Sequence, residues 1–153
     1  MIRVNVFSEE TTWSKKIKKK ESFFNSICKS FPKEYRFLNK KVFFSLLLSN
    51  NKKIKELNKE FRKKDKPTDI LSFPFYKKRK IKKITYLGDI IISYDFMNKP
   101  KVKNIKSFKI RVIKTFIHGF LHLLEFDHIK NKDYKKMLKE EDRIYKSVIS
   151  KLY

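Results

Sequence analysis

The chain is poor in the residues that punctuate or cross-link a fold: one cysteine, two glycines, four prolines and no alanine in 153 residues. A single thiol excludes an internal disulfide framework and fits a reducing compartment. No low-complexity linker and no internal repeat divides the sequence. One domain over residues 1–153 is therefore expected, large enough to bury a core without staples. Long apolar runs are missing too. The longest, residues 42–48, is interrupted by Ser45 and is far too short to span a bilayer, and residues 1–7 carry no apolar signal segment. The expectation is a cytoplasmic protein with no membrane partner.

Acidic residues are scarce, with 16 Asp and Glu against 40 Lys and Arg, for a formal charge of +24. Such an excess invites a nucleic-acid partner, because Lys and Arg neutralise phosphates and release their counterions. The inference is modest. The chain has 34 Lys but six Arg, with abundant Ile, Phe and Asn, the composition that an A/T-rich genome encodes whatever the function. The lysines are also spread over nearly every segment, as solvated faces are.

Histidine is the informative scarcity. All three lie in one eleven-residue stretch, His118-Gly119-Phe120-Leu121-His122-Leu123-Leu124-Glu125-Phe126-Asp127-His128. His118 and His122 are four apart, so on a helix their rings stack on one face with Cβ atoms roughly 5–6 Å apart, a reach that suits two ligands on one ion. His128 lies about 240° further round and joins them only if the helix ends near Glu125 and the chain turns back. Neutral imidazole is the commonest nitrogen ligand of zinc. Three protein nitrogens leave one coordination position open, the arrangement of catalytic rather than structural zinc. Cys28 is read as a core thiol on an apolar stripe rather than a fourth ligand.

The H-x-x-x-H-x-x-x-x-x-H spacing is that of the metzincins, in which a catalytic Glu follows the first histidine. Gly119 stands there in this chain. Losing the general base of peptide hydrolysis argues against a protease while leaving the metal geometry intact.

Periodicity predicts strands over residues 2–7, 42–48, 70–75 and 87–93, the last starting near Gly88. It predicts helices over 12–31 (capped by Thr11 or Thr12), from Asn50 or Asn51 through Phe61, over 104–124, and over 133–152. The fold class expected is α+β, a single small mixed sheet of about four strands packed with about five helices, with the metal site at the C-terminal end of a buried helix.

Two further segments carry more than secondary structure. They are residues 57–74, containing Asn58, Arg62, Pro67, Thr68, Asp69, Ile70, Leu71, Ser72, Phe73 and Pro74, and residues 87–93, Leu87-Gly88-Asp89-Ile90-Ile91-Ile92-Ser93. With the histidine cluster, these blocks closely resemble the YbeY family of bacterial ribonucleases in order and approximate separation, over most of the chain from Leu57 to His128. The resemblance implies a zinc-dependent, single-strand-specific endoribonuclease acting in 16S rRNA 3′-end maturation and ribosome biogenesis and quality control. It implies one zinc on His118, His122 and His128, with Arg62 at the substrate phosphate. The implied partners are single-stranded RNA, rRNA of the small subunit, a small-subunit ribosomal protein and an rRNA-binding GTPase. A guanidinium suits the role given to Arg62, since it offers planar bidentate donors and stays charged at any physiological pH.

Thr68, Asp69 and Ser72 are read as organising the turn after Pro67, and Asp89 as either a partner of a ligating histidine or a strand-end turn residue. The family's glycine between the second and third histidines is Glu125 here. Either Glu125 takes a left-handed turn at a strain of about 1–2 kcal/mol, or its carboxylate reaches the metal-bound water and replaces the missing base. Asp127 either orients a ligand or water, or stabilises the turn. Two other classes stay open: a non-catalytic zinc-containing ribosome-assembly factor, and a zinc metalloprotease.

Overall fold

A computed structural model describes residues 1–75, 80–100, 104–126 and 130–153. Asp127 and His128 lie outside the described residues. The elements in chain order are β1 (Ile2–Ser8), α1 (Lys20–Lys29), β2 (Lys41–Ser49), α2 (Asn51–Arg62), β3 (Ile70–Pro74), β4 (Ile84–Ser93), the short α3 (Tyr94–Met97), α4 (Ile105–Leu123) and α5 (Asn131–Leu152). The strands form one mixed sheet in the order β1-β2-β4-β3. β1, β2 and β4 run parallel, and β3 joins β4 antiparallel as an edge.

The alternation that predicted the strands sorts the two faces. Ile2 and Val4 of β1, Val42, Phe44, Leu46 and Leu48 of β2, and Leu87, Ile90 and Ile92 of β4 are buried in the main core. Against them pack Phe24, Ile27 and Cys28 of α1 and Val112, Phe116 and Phe120 of α4. The tilted rings of Phe44 and Phe120 lie 5.7 Å apart. A smaller cluster of Ile54, Leu71 and Ile91 seats α2 on the other face. Apolar burial on both sides of β4 accounts for its near-continuous hydrophobic run.

Two expectations are corrected. The helix expected over 12–31 divides into a 3₁₀ turn, Thr11–Lys15, and α1. A continuous helix would have stacked Lys15 on Lys19 and Lys16 on Lys20, like charges at i,i+4. Instead Trp13 is fully buried with its indole N–H donating to Ser49 O at 2.9 Å, and the cap of the turn is the Glu10 carboxylate rather than a threonine. β4 begins at Ile84 and passes through Gly88 instead of starting there. Gly88 has φ +137, and a Cβ on it would sit 2.1 Å from Phe73 O, so this bulge admits only glycine without displacing backbone. Among the described residues no helix is long and apolar enough to cross a membrane.

Candidate functional site

α4 starts on the Asn104 side chain, which accepts from Ser107 N, and buries its apolar length against the sheet. At Gly119 it comes up close against β3. A Cβ there would lie 2.4 Å from Ile70 Cδ1 and 3.1 Å from Ser72 Oγ, and the Ser72 hydroxyl donates to Gly119 O at 3.1 Å. The position that carries a base in zincins is thus turned toward β3. Ser72 is a strand residue that ties β3 to α4, not a member of the turn after Pro67. Asp69 does serve that turn, accepting from Ile70 N at 2.8 Å and from the Thr68 hydroxyl at 3.2 Å.

α4 ends in a Schellman turn. Glu125 N donates to His122 O and Phe126 N to Leu121 O, each at 3.0 Å, while Glu125 takes φ 70. The left-handed residue expected from the sequence is therefore Glu125, exposed and outside the lining of the cleft described next. The same turn brings Phe126 O to 3.0 Å from His122 Nδ1. His118 Nδ1 lies 2.5 Å from Glu141 Oε1 on α5. Both ring partners accept hydrogen bonds only, so a neutral imidazole at either position carries its proton on Nδ1 and keeps the Nε2 lone pair for a ligand. Those two Nε2 atoms face each other at 3.1 Å. They are the candidate metal donors that the described residues bring together. Among the described residues no group of three or more His, Cys, Asp or Glu is placed to hold an ion.

His118 and His122 open onto a cleft of about 670 Å³ that is also lined by Asn58, Arg62, Lys64 and Lys66. Arg62 is exposed and makes no ion pair among the described residues. α2 ends in a left-handed residue, Lys63 at φ 59, and the buried Asn58 amide donates to Lys66 O at 2.8 Å, holding the returning loop beside the helix. Arg62 thus shares a cleft with the histidine pair, four residues and one helical turn from Asn58.

Sequence reasoning missed Glu141 and Asn58 as parts of this site. Glu141 sits 23 residues from His118, and nothing in its spacing marks it out. Asn58 carried a signal, since Asn58 and Arg62 share a helix face at i,i+4 within the motif block. Asp89 is neither of the roles read for it. It lies within β4 opposite Phe73, accepts a hydrogen bond from the Tyr86 hydroxyl, and faces a separate groove with Phe7, Leu47 and Phe61. Burial pushes the Cys28 thiol well up, and Cys28 packs in the main core.

The family model described as Endoribonuclease YbeY matches residues 6–149. The chain belongs to the endoribonuclease YbeY family. It is 64% identical over 152 residues to the Endoribonuclease YbeY of Pelagibacter ubique (strain HTCC1062), covering 99% of each chain. It is 37% identical over 128 residues to the Endoribonuclease YbeY of Ehrlichia canis (strain Jake), covering 84% of this chain and 80% of that one. Among solved structures it is similar to the solution structure of a Thermotoga maritima protein, with a TM-score of 0.58 and 25% identity, covering 99% of this chain and 91% of the other. The histidine block, the Arg62 block and the β4 block of this YbeY family member all fall inside the matched span.

Proposed function

We propose that this protein is a metal-dependent endoribonuclease that cuts single-stranded RNA, with rRNA of the small ribosomal subunit as its substrate and 16S 3′-end maturation as its step. The observation that carries the reading is that Arg62 lines the same cleft as two histidines whose imidazole Nε2 atoms lie only 3.1 Å apart. Two nitrogens bound tetrahedrally at about 2.0–2.1 Å from one zinc are about 3.4 Å apart, so the pair fits a shared ion with little movement. His118 and His122 hold the metal, with His128 as the third ligand the sequence supplies.

When bound, zinc supplies Lewis acidity at a phosphoryl oxygen. The remaining work falls to the chain. Arg62 grips the phosphodiester through paired N–H donors and offsets the charge that builds on it, a contact worth more in the transition state than in the ground state. Lys64 and Lys66 steer the flanking phosphates into the cleft. Gly119, packed on β3, excludes a zincin-type base, which weighs against peptide hydrolysis. The family resemblance adds a small-subunit ribosomal protein and an rRNA-binding GTPase as partners.

The test is cleavage of an unstructured RNA oligonucleotide by purified protein, with and without chelator, with zinc added back and His122→Ala prepared in parallel as contaminant control. Cleavage by the parent that chelator abolishes and zinc restores is expected. A zinc-loaded parent with no more cleavage than His122→Ala would instead favour a non-catalytic assembly factor.

A further inference from the structure

The two histidines obtain their Nδ1 partners in different ways. His122 uses the carbonyl of Phe126, four residues on, delivered by the turn that ends its own helix. His118 lies inside α4, where the carbonyls of the preceding turns are engaged by the helix itself, so its partner must come from another element. That partner is Glu141 of α5, at 2.5 Å. Both side chains are about one-third exposed or less, 34% for His118 and 26% for Glu141. Glu141 approaches from the side away from the substrate cleft, beside Lys114, Ile117 and Tyr145, and is absent from the wall shared by Arg62 and the histidines.

We propose that Glu141 is a positioning residue of the metal site: its carboxylate holds the His118 ring in the Nδ1–H tautomer and aims Nε2 at the point His122 Nε2 also faces. The proposal rests on the reading of His118 and His122 as metal ligands. A free imidazole on a helix can rotate about χ2 and exchange tautomers, and each alternative removes the lone pair from the ion. A carboxylate behind the ring suppresses both and makes Nε2 a stronger donor, and loss of such a partner typically costs 10–100-fold in metal affinity. It also makes α5 part of the site: the last helix of the chain sets the geometry of a ligand on α4 without touching substrate.

The experiment compares the parent with Glu141→Ala and Glu141→Gln. Zinc affinity is measured by competition with a chromogenic chelator, and the His118 tautomer by ¹⁵N imidazole spectra of the metal-free proteins. The expected result is an Nδ1–H signature for His118 in the parent, lost in Glu141→Ala, with zinc affinity lowered about 10–100-fold. Glu141→Gln, whose amide oxygen still accepts the bond, should fall between the two. Glu141→Ala with parental zinc affinity overturns the proposal, including the case where its metal-free melting temperature falls, since Glu141 would then only tie α5 to α4. A folded Glu141→Gln with an unaltered tautomer but no zinc binding overturns it as well, by making Glu141 itself a ligand. A parent that binds no zinc sinks the metal reading of the histidine pair and Glu141 with it, whereas the variant-specific results bear on Glu141 alone.

Discussion

The two walls of the cleft are built from the same device and finished oppositely. α4 and α2 each bring a C-terminal turn to it. Each ends in a left-handed residue that is not glycine, Glu125 at φ 70 and Lys63 at φ 59, and each projects a pair of side chains at i,i+4 just before that end. On α4 the pair is His118 and His122, set in an apolar helix pressed against the sheet and braced by Glu141 and Phe126 O. On α2 it is Asn58 and Arg62, with Asn58 buried to hold the loop and Arg62 exposed. The negative ends of two helix dipoles at one cleft favour a cation, and Arg62, Lys64 and Lys66 restore its attraction for phosphate. One side presents two imidazoles from a braced, largely buried helix, and the other presents an exposed guanidinium beside a basic, solvated loop.

Variants that abolish one wall should leave the other intact. If His122 is a ligand as proposed, His122→Ala should lower zinc affinity by 100-fold or more while RNA binding in the absence of metal stays near the parent, checked by equilibrium dialysis and filter binding. Arg62→Glu should do the converse. Cleavage falls about 10²–10³-fold, with zinc content and melting temperature close to parental, because an exposed transition-state contact is lost rather than a ligand or a core group.

The shared left-handed turn is a sharper comparison with a smaller effect. Glu125→Gly and Lys63→Gly should each stabilise the protein by about 1 kcal/mol, raising the melting midpoint by about 2–4 °C. Glu125→Gly should leave zinc affinity unchanged or higher and cleavage unchanged. A 10²-fold loss of cleavage without loss of stability would instead give the Glu125 carboxylate a chemical role.

The smallest effect lies away from both walls, where Glu10 caps the Thr11–Lys15 turn. Hydrogen bonds from the Asn50 side chain, and next from Thr12, hold its carboxyl below the usual 4.5. A folded value below the unfolded one means stability present above the unfolded value and lost as pH falls through the folded one. The melting midpoints of the parent and Glu10→Gln should therefore differ at neutral pH and converge only once the pH has fallen below the lowered carboxyl value.

How much of this was legible follows from what is local. The strands and α4 were readable because apolar alternation and a 3.6-residue period report which face is buried. The i,i+4 histidines and a chain reversal near Glu125 followed from helix geometry, and the strain at Glu125 from its standing where the YbeY family has glycine. The break between Lys15 and Lys20 was missed because Trp13 and Ile17 keep a helical period that lysine repulsion and the Trp13 bond to Ser49 override. Ser72 was misassigned because its acceptor, Gly119 O, lies 47 residues away. Glu141 was invisible for the same reason: a hydrogen bond between two helices leaves no periodic trace.

The most direct test of the account is anomalous diffraction at the zinc edge from crystals of the zinc-loaded protein. It should show one peak about 2.0–2.1 Å from both His118 Nε2 and His122 Nε2, in the cleft that Arg62 also lines. A zinc-loaded crystal with no peak between these two nitrogens, or with its peak elsewhere in the molecule, would contradict it.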